Sequence, residues 1–225
     1  YVAGAQRVKM LISGAAGTLG RPLALKLAER GVELVLLGRR VSALEKLYDD
    51  IESAGGCTPA IYPLNLEGAT PQDFATLGET IERELGGLDA VVHLAARFEG
   101  LSPLANFDPE EWMRVLQVGL NAPLFLTQAL LPMLKKSAAG KIVFTDDAPA
   151  RIERAYWGAY AVAKGAQRTL IKLWRDELES TTVQVHVVEP GAHSPGLSSR
   201  AYAVDTRSDL VQVSAIVDDY LAVLS

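Results

Sequence analysis

The 225-residue chain contains one cysteine, Cys57, and three histidines that form no Cys/His cluster. A lone thiol excludes an internal disulfide framework, and scattered histidines lack metal-ligand spacing, so no metal site is expected. No block of Lys or Arg interrupts a formal charge of −5. The basic footprint that holds a phosphate backbone is therefore missing, and nucleic acid is not an expected partner. Long apolar runs are missing too. The most apolar stretch, residues 115–134, is broken by Gln117, Asn121, Pro123, Gln128 and Pro132, which argues against a membrane span. No signal-peptide pattern is visible, and a soluble, cytoplasmic protein is expected; because the chain opens on Tyr1 rather than Met, further residues are expected to precede it.

What is present is a regular alternation. Short runs rich in Val, Ile and Leu, namely VKMLIS (8–13), VELVLL (32–37), LDAVVHLA (88–95), GKIVFT (140–145) and TVQVHVVE (182–189), suit strands buried on both faces. Between them lie helix-length amphipathic stretches, the longest spanning 108–136, and another opening at Tyr156. Gly31, Gly55 and Gly86 stand where helices would end, while Pro22 and Pro71 fall in first turns, where a missing N–H costs little. Strand–helix alternation of this kind implies right-handed crossovers, so we expect a single α/β domain, a doubly wound Rossmann-type parallel sheet with helices on both faces. In such sheets ligands bind at the carboxyl ends of the strands.

Those ends carry the informative residues. After the first strand comes ISGAAGTLGRPLALKLA, with Gly14, Gly17 and Gly20 around Thr18 and Leu19. Small residues here let the backbone approach a pyrophosphate, which then rests on a helix N-terminus. The second strand ends in Gly38-Arg39-Arg40 rather than in an acid that would accept ribose hydroxyls. Arg39 offers a cation to a 2′-phosphate, so NADP is preferred over NAD, although a solvated surface arginine is the plain alternative. Asn65, followed by Leu66, has an amide suited to an adenine edge, and Asn is also common in turns. Further on, Tyr160 and Lys164 lie four residues apart and so share one helix face, an arrangement in which an ammonium would pull the phenol below its usual pKa of about 10.

Taken in order, the glycine loop, LDAVVHLAA, LTQALLPML and YWGAYAVAK resemble a short-chain dehydrogenase/reductase, the tyrosine-dependent oxidoreductase family, and are most similar to a bacterial subgroup of it. The resemblance runs over about residues 8–191. It implies hydride transfer between NAD(P)H and a carbonyl or alcohol. By resemblance Tyr160 is the acid/base and Lys164 its partner, which also holds the nicotinamide ribose. Ala95, Pro190 and Gly191 fall at strand ends that border the cofactor, and the long middle helix and the Tyr160 helix form a dimer interface.

Several positions depart from the family pattern. Where its catalytic serine is expected, thirteen positions ahead of Tyr160, stands Asp147, preceded by Asp146. A hydroxyl donates to a substrate carbonyl, whereas an ionised carboxylate only accepts; restoring a donor would require a protonated acid. Asp147 is also expected to raise the Tyr160 pKa unless it pairs with Lys164. The helix asparagine that supports a proton-relay water corresponds to Gly119, and Asn121 fits only the second Asn of that pattern. The fourth-strand Asn-Ala-Gly is Leu94-Ala95-Ala96, the adenine-side Asp is Asn65, Thr18 replaces a glycine, and Pro195 replaces the threonine near the nicotinamide amide. No strand signal follows His193, so the family's last strand and its tetramer contacts are not expected. Residues 193–209 correspond to the substrate loop, without naming a substrate. Two functions remain open: an NADP-preferring oxidoreductase using Tyr160, Lys164 and Asp147 in an altered site, and a catalytically inactive nucleotide-binding or protein-interaction module.

Overall fold

A computed structural model describes residues 7–193, 201 and 210–225. Within them the strands are β1 (Lys9–Ser13), β2 (Glu33–Gly38), β3 (Ala60–Pro63), β4 (Ala90–His93), β5 (Lys141–Thr145) and β6 (Gln184–Val188). They form one six-stranded sheet in the order β3-β2-β1-β4-β5-β6, every pair parallel. The helices are α1 (Gly20–Glu29), α2 (Val41–Ser53), α3 (Pro71–Leu85), α4 (Pro109–Leu116), α5 (Ala122–Lys136), α6 (Pro149–Ile152), α7 (Gly158–Leu178) and α8 (Val213–Leu224).

Alternation along the strands sends successive side chains to opposite layers. Met10, Ile12, Leu34 and Leu36 meet Leu23 and Leu27 of α1, Leu47 of α2 and Tyr220 of α8 on one face. Leu11, Val35, Val91 and Phe144 meet Phe74 of α3, Leu126 and Leu130 of α5 and Trp174 of α7 on the other. A smaller cluster of Phe98, Val115, Ile152, Trp157 and Tyr160 lies under the carboxyl edge. The doubly wound expectation is met, and among the described residues no strand follows β6. Pro195 and most of the expected substrate loop lie outside the described residues.

Two helices differ from the sequence reading. The long middle helix is α4 and α5 joined by a π-helical segment, Gln117–Asn121. There the N–H of Ala122 bonds the carbonyl of Gln117, five residues back. Pro123 has no N–H to give Gly119 its ordinary α-helical partner, so a local widening costs little at this point. By length and mean hydropathy Pro109–Lys136 is long enough to cross a membrane, yet Leu126, Leu130, Met133 and Leu134 are spent on the core. The second difference is the start of α7, at Gly158 rather than Tyr156. Tyr156 has φ of 77°, a left-handed conformation that breaks helical continuity.

Order within the sheet places the site. Sequence-adjacent strands run outward from β1 in one direction and from β4 in the other, so the connections diverge at the β1/β4 boundary and leave a crevice. Ser13 bridges that boundary, its Oγ accepting the backbone N–H groups of Leu94 at 3.2 Å and Ala95 at 3.3 Å. At the end of β5, Thr145 Oγ1 lies 2.6 Å from the Tyr220 hydroxyl. Tyr220→Phe is expected to cost about 1 kcal/mol, the usual net worth of a buried hydrogen bond, read from the midpoint of urea unfolding.

Candidate active site

The crevice opens into a cavity of about 510 Å³. Its floor is the glycine turn after β1. Gly14 has φ of +71°, and a Cβ there would stand 3.0 Å from the backbone of Ala95. A Cβ on Gly20 would fall 2.3 Å from the carbonyl oxygen of Gly14. At Gly20 the clash is with backbone and excludes a side chain; at Gly14 the approach is tight and the left-handed φ itself disfavours any residue with a Cβ. Leu19, at the N-cap of α1, makes no side-chain cap. In the first turn of α1 the Arg21 N–H is taken by the carbonyl of Gly17 and Pro22 has none to give, so the Gly20 N–H and the positive end of the helix dipole are what the turn offers a phosphate.

Tyr160 and Lys164 reach the same cavity from α7, and Thr145, Asp146 and Asp147 reach it from the end of β5. The Tyr160 hydroxyl donates to Asp147 Oδ2 at 3.2 Å. Asp147 Oδ1 accepts from Arg151 Nε at 2.6 Å and also pairs with Arg151 Nη2. Both carboxylate oxygens are thus engaged, one by Arg151 and the other by the Tyr160 hydroxyl. Asp146 pairs with Arg168 Nη1 at 3.1 Å, and Arg168 in turn pairs with Glu153. Asp147 does not pair with Lys164, which is the condition under which it was expected to oppose ionisation of the phenol.

Lys164 is 5% exposed. Its ammonium donates to the carbonyl of Thr145 and, at 3.1 Å, to Gln167 Oε1. Gln167 Nε2 donates onward to the carbonyl of Gly119 at 3.0 Å, the group that Pro123 leaves without a helical partner. A side-chain amide thus links Lys164 to the π segment. Because an amide does not shuttle protons, this link is structural.

Ionisation follows from these contacts. The expectation that Lys164 would pull the Tyr160 phenol below 10 is overturned: burial pushes it well above, and Asp147 adds to the rise while Arg151 opposes it. Lys164 is pushed down to about 8, chiefly by burial, with Asp146 and Asp147 acting against that fall.

The wall of the cavity also contains Gly17, Thr18, Arg39, Asn65, Leu66, Ala95 and Pro190, as expected; Gly191 does not belong to it. Asn65 spends its Oδ1 on the N–H of Glu67 at 3.3 Å, which closes a local turn. The sequence model of the family described as short chain dehydrogenase matches residues 9–203. The chain belongs to that family. This short-chain dehydrogenase is 32% identical over 94% of its length to the uncharacterized oxidoreductase YciK of Escherichia coli K12, covering 84% of YciK. Among solved structures, a short chain dehydrogenase from Pseudomonas syringae shares 37% identity and a TM-score of 0.90, with 98% of this chain and 90% of that one covered. Another, from Escherichia coli CFT073 and complexed with NADPH, gives 33% identity and a TM-score of 0.89 over 95% of this chain and 89% of its own.

The sequence reading missed Arg151, Gln167, Glu67 and Arg97. The first two had a signal: Arg151 follows Asp147 by four residues and Gln167 follows Lys164 by three, each about one helical turn. Glu67 and Arg97 meet only through the tertiary fold.

Burial of Lys164 has a consequence for stability. Its folded pKa of about 8 lies below its ordinary 10.5, so the unfolded chain binds the extra proton between those values. The contribution of Lys164 to stability is lowest below pH 8 and rises toward pH 10.5, by on the order of 3 kcal/mol. Lys164→Met is expected to flatten that part of the profile in urea titrations taken from about pH 7 to about pH 10.

Proposed function

We propose that the chain is an NADP-dependent short-chain oxidoreductase that moves hydride between a nicotinamide and a carbonyl or alcohol substrate. The observation that carries this reading is the convergence of Tyr160 and Lys164 on the same cavity as the glycine turn and Arg39. The cavity fits the dinucleotide: Gly14, Gly17 and Gly20 line it with backbone rather than side chains, and the Gly20 N–H stands at the positive end of α1. The NADPH complex of the Escherichia coli CFT073 relative supports the same cofactor. The nicotinamide, when bound, supplies or accepts the hydride; proton handling and binding fall to the chain.

Gly14, Gly17 and Gly20 would hold the pyrophosphate, Arg39 a 2′-phosphate, and Lys164 the nicotinamide ribose. Tyr160 is the proton donor. Its raised pKa keeps the phenol protonated across physiological pH, which favours donation to a carbonyl and opposes removal of a proton from an alcohol. To donate, the hydroxyl must swing from Asp147 Oδ2 to the substrate oxygen, and Asp147 competes for it. Removing that competitor with Asp147→Ser is expected to raise carbonyl reduction about 10²-fold, the scale of an oxyanion donor.

A second reading, a nucleotide-binding module without turnover, is favoured by one observation: Lys164 is tied through Gln167 to Gly119 by an amide that relays no proton. Gly119→Asn tests it together with Asp147→Ser, although the new Cβ would stand 3.1 Å from that of Ala163, which must give by a few tenths of an ångström. Loss of nicotinamide absorbance over a panel of carbonyls separates the readings. The oxidoreductase consumes NADPH, faster after Asp147→Ser. A folded protein that binds NADPH but consumes none, alone or with both substitutions, is a binding module.

A homodimer is also proposed, as the family resemblance implies. Met113 on α4 and Val162 and Leu173 on α7 are exposed apolar residues on the two helices concerned. Light scattering on the eluting protein is expected to give twice the chain mass, and a monomer would remove this proposal.

A further inference from the structure

At the adenosine end of the cavity an acid stands among the cations expected to hold a phosphate. Glu67 Oε1 accepts from Arg39 Nη1 at 2.8 Å and from Arg97 Nη1 at 2.6 Å. Arg39, Glu67 and Arg97 all line the cavity. Their environments differ: the Arg39 side chain is 57% exposed, that of Glu67 20% and that of Arg97 14%. Arg97 has its own counterion, since Glu111 receives its Nε at 2.8 Å and its Nη2 at 2.6 Å in a bidentate pair, and Glu99 lies 3.3 Å from Nη2. Glu67 is not needed to neutralise Arg97. The same Oε1 also acts on Arg39, for which Glu67 is the carboxylate partner.

We infer that Glu67 is an internal competitor for the 2′-phosphate and sets how strongly the chain distinguishes NADPH from NADH. This inference rests on the cofactor reading above. A 2′-phosphate brings about two negative charges to Arg39 and finds a carboxylate already on the same guanidinium. Binding must displace Glu67 or tolerate it a few ångströms away, and either lowers affinity. A ribose that ends in a 2′-hydroxyl meets no such repulsion, because a carboxylate accepts from a hydroxyl. Selectivity for NADPH is thus held below what Arg39 and Arg40 alone would give. Arg40 also lines the cavity and has no carboxylate partner among the described residues.

The test is a fluorescence titration of the purified full chain with NADPH and with NADH at one fixed ionic strength. It compares wild type, Glu67→Gln and Glu67→Ala. Both variants are expected to bind NADPH about five-fold more tightly, the scale of repulsion between a phosphate and a carboxylate roughly 5 Å apart in screened solvent, and to bind NADH within about two-fold of wild type. The alanine variant guards against the glutamine amide acting as a new donor. Unchanged or weaker NADPH binding in both variants overturns the inference, the latter because it would make Glu67 a support for Arg39. Equal tightening for both nucleotides overturns it as well, since the effect would not belong to the 2′-phosphate. Failure of wild type and variants to bind either nucleotide is a different result, which removes the cofactor reading itself and this inference with it.

Discussion

Burying charge beneath the carboxyl edge of β5 requires that every charge be answered within that layer, and this condition organises the site. Asp146, Asp147 and Lys164 are each nearly excluded from solvent. An unanswered carboxylate or ammonium at such depth would cost several kcal/mol. Arg168 answers Asp146, Arg151 answers Asp147, and Lys164 takes a carbonyl and an amide oxygen. Two of these partners come from α7 itself, and Arg151 comes from the short α6 just ahead of it. The geometry of Tyr160 is a by-product of this pairing, since its hydroxyl donates to the carboxylate oxygen of Asp147 that Arg151 does not use.

The pairing also explains how two acids stand beside Tyr160 without collapsing the site. Had Asp147 paired with Lys164, the ammonium would have been drawn from the carbonyl of Thr145 and toward the carboxylate. Arg151 prevents that. The phenol is thereby kept protonated by burial and by a neighbouring negative charge, the reverse of the activated phenolate that the Tyr/Lys spacing by itself suggests. Spacing reports which side chains share a face; it does not report what dielectric they share, and here the dielectric decides the sign.

Much of the fold was legible because buried parallel strands and amphipathic helices leave different periods in the sequence. β1, β4, β5 and β6 fall inside the expected runs, and β2 passes the end of its run by one residue, Gly38. β3, Ala60–Pro63, is short and ends in proline, so it carried little signal of its own. The glycine turn was legible from position and size, and the cavity does form over it. What was not legible is what depends on two distant segments arriving together. Glu67 and Arg97 are thirty residues apart on different strand ends, and Gln167 meets Gly119 from another helix. Neither pairing has a local sequence pattern. The start of α7 was misplaced for a local reason, the left-handed Tyr156, which propensity alone does not forecast.

The π segment at Gln117–Asn121 makes the length of this helix a hidden variable of the architecture. One residue more or fewer turns everything beyond it by about 100°. Upstream, Val115 faces the cluster around Tyr160; downstream, Leu126 and Leu130 face the sheet. The wide turn is what allows a single rod to serve two partners that do not share its phase. Related chains that gain or lose a residue here would therefore keep either the sheet or the neighbourhood of the tyrosine in register, and would have to rebuild the other.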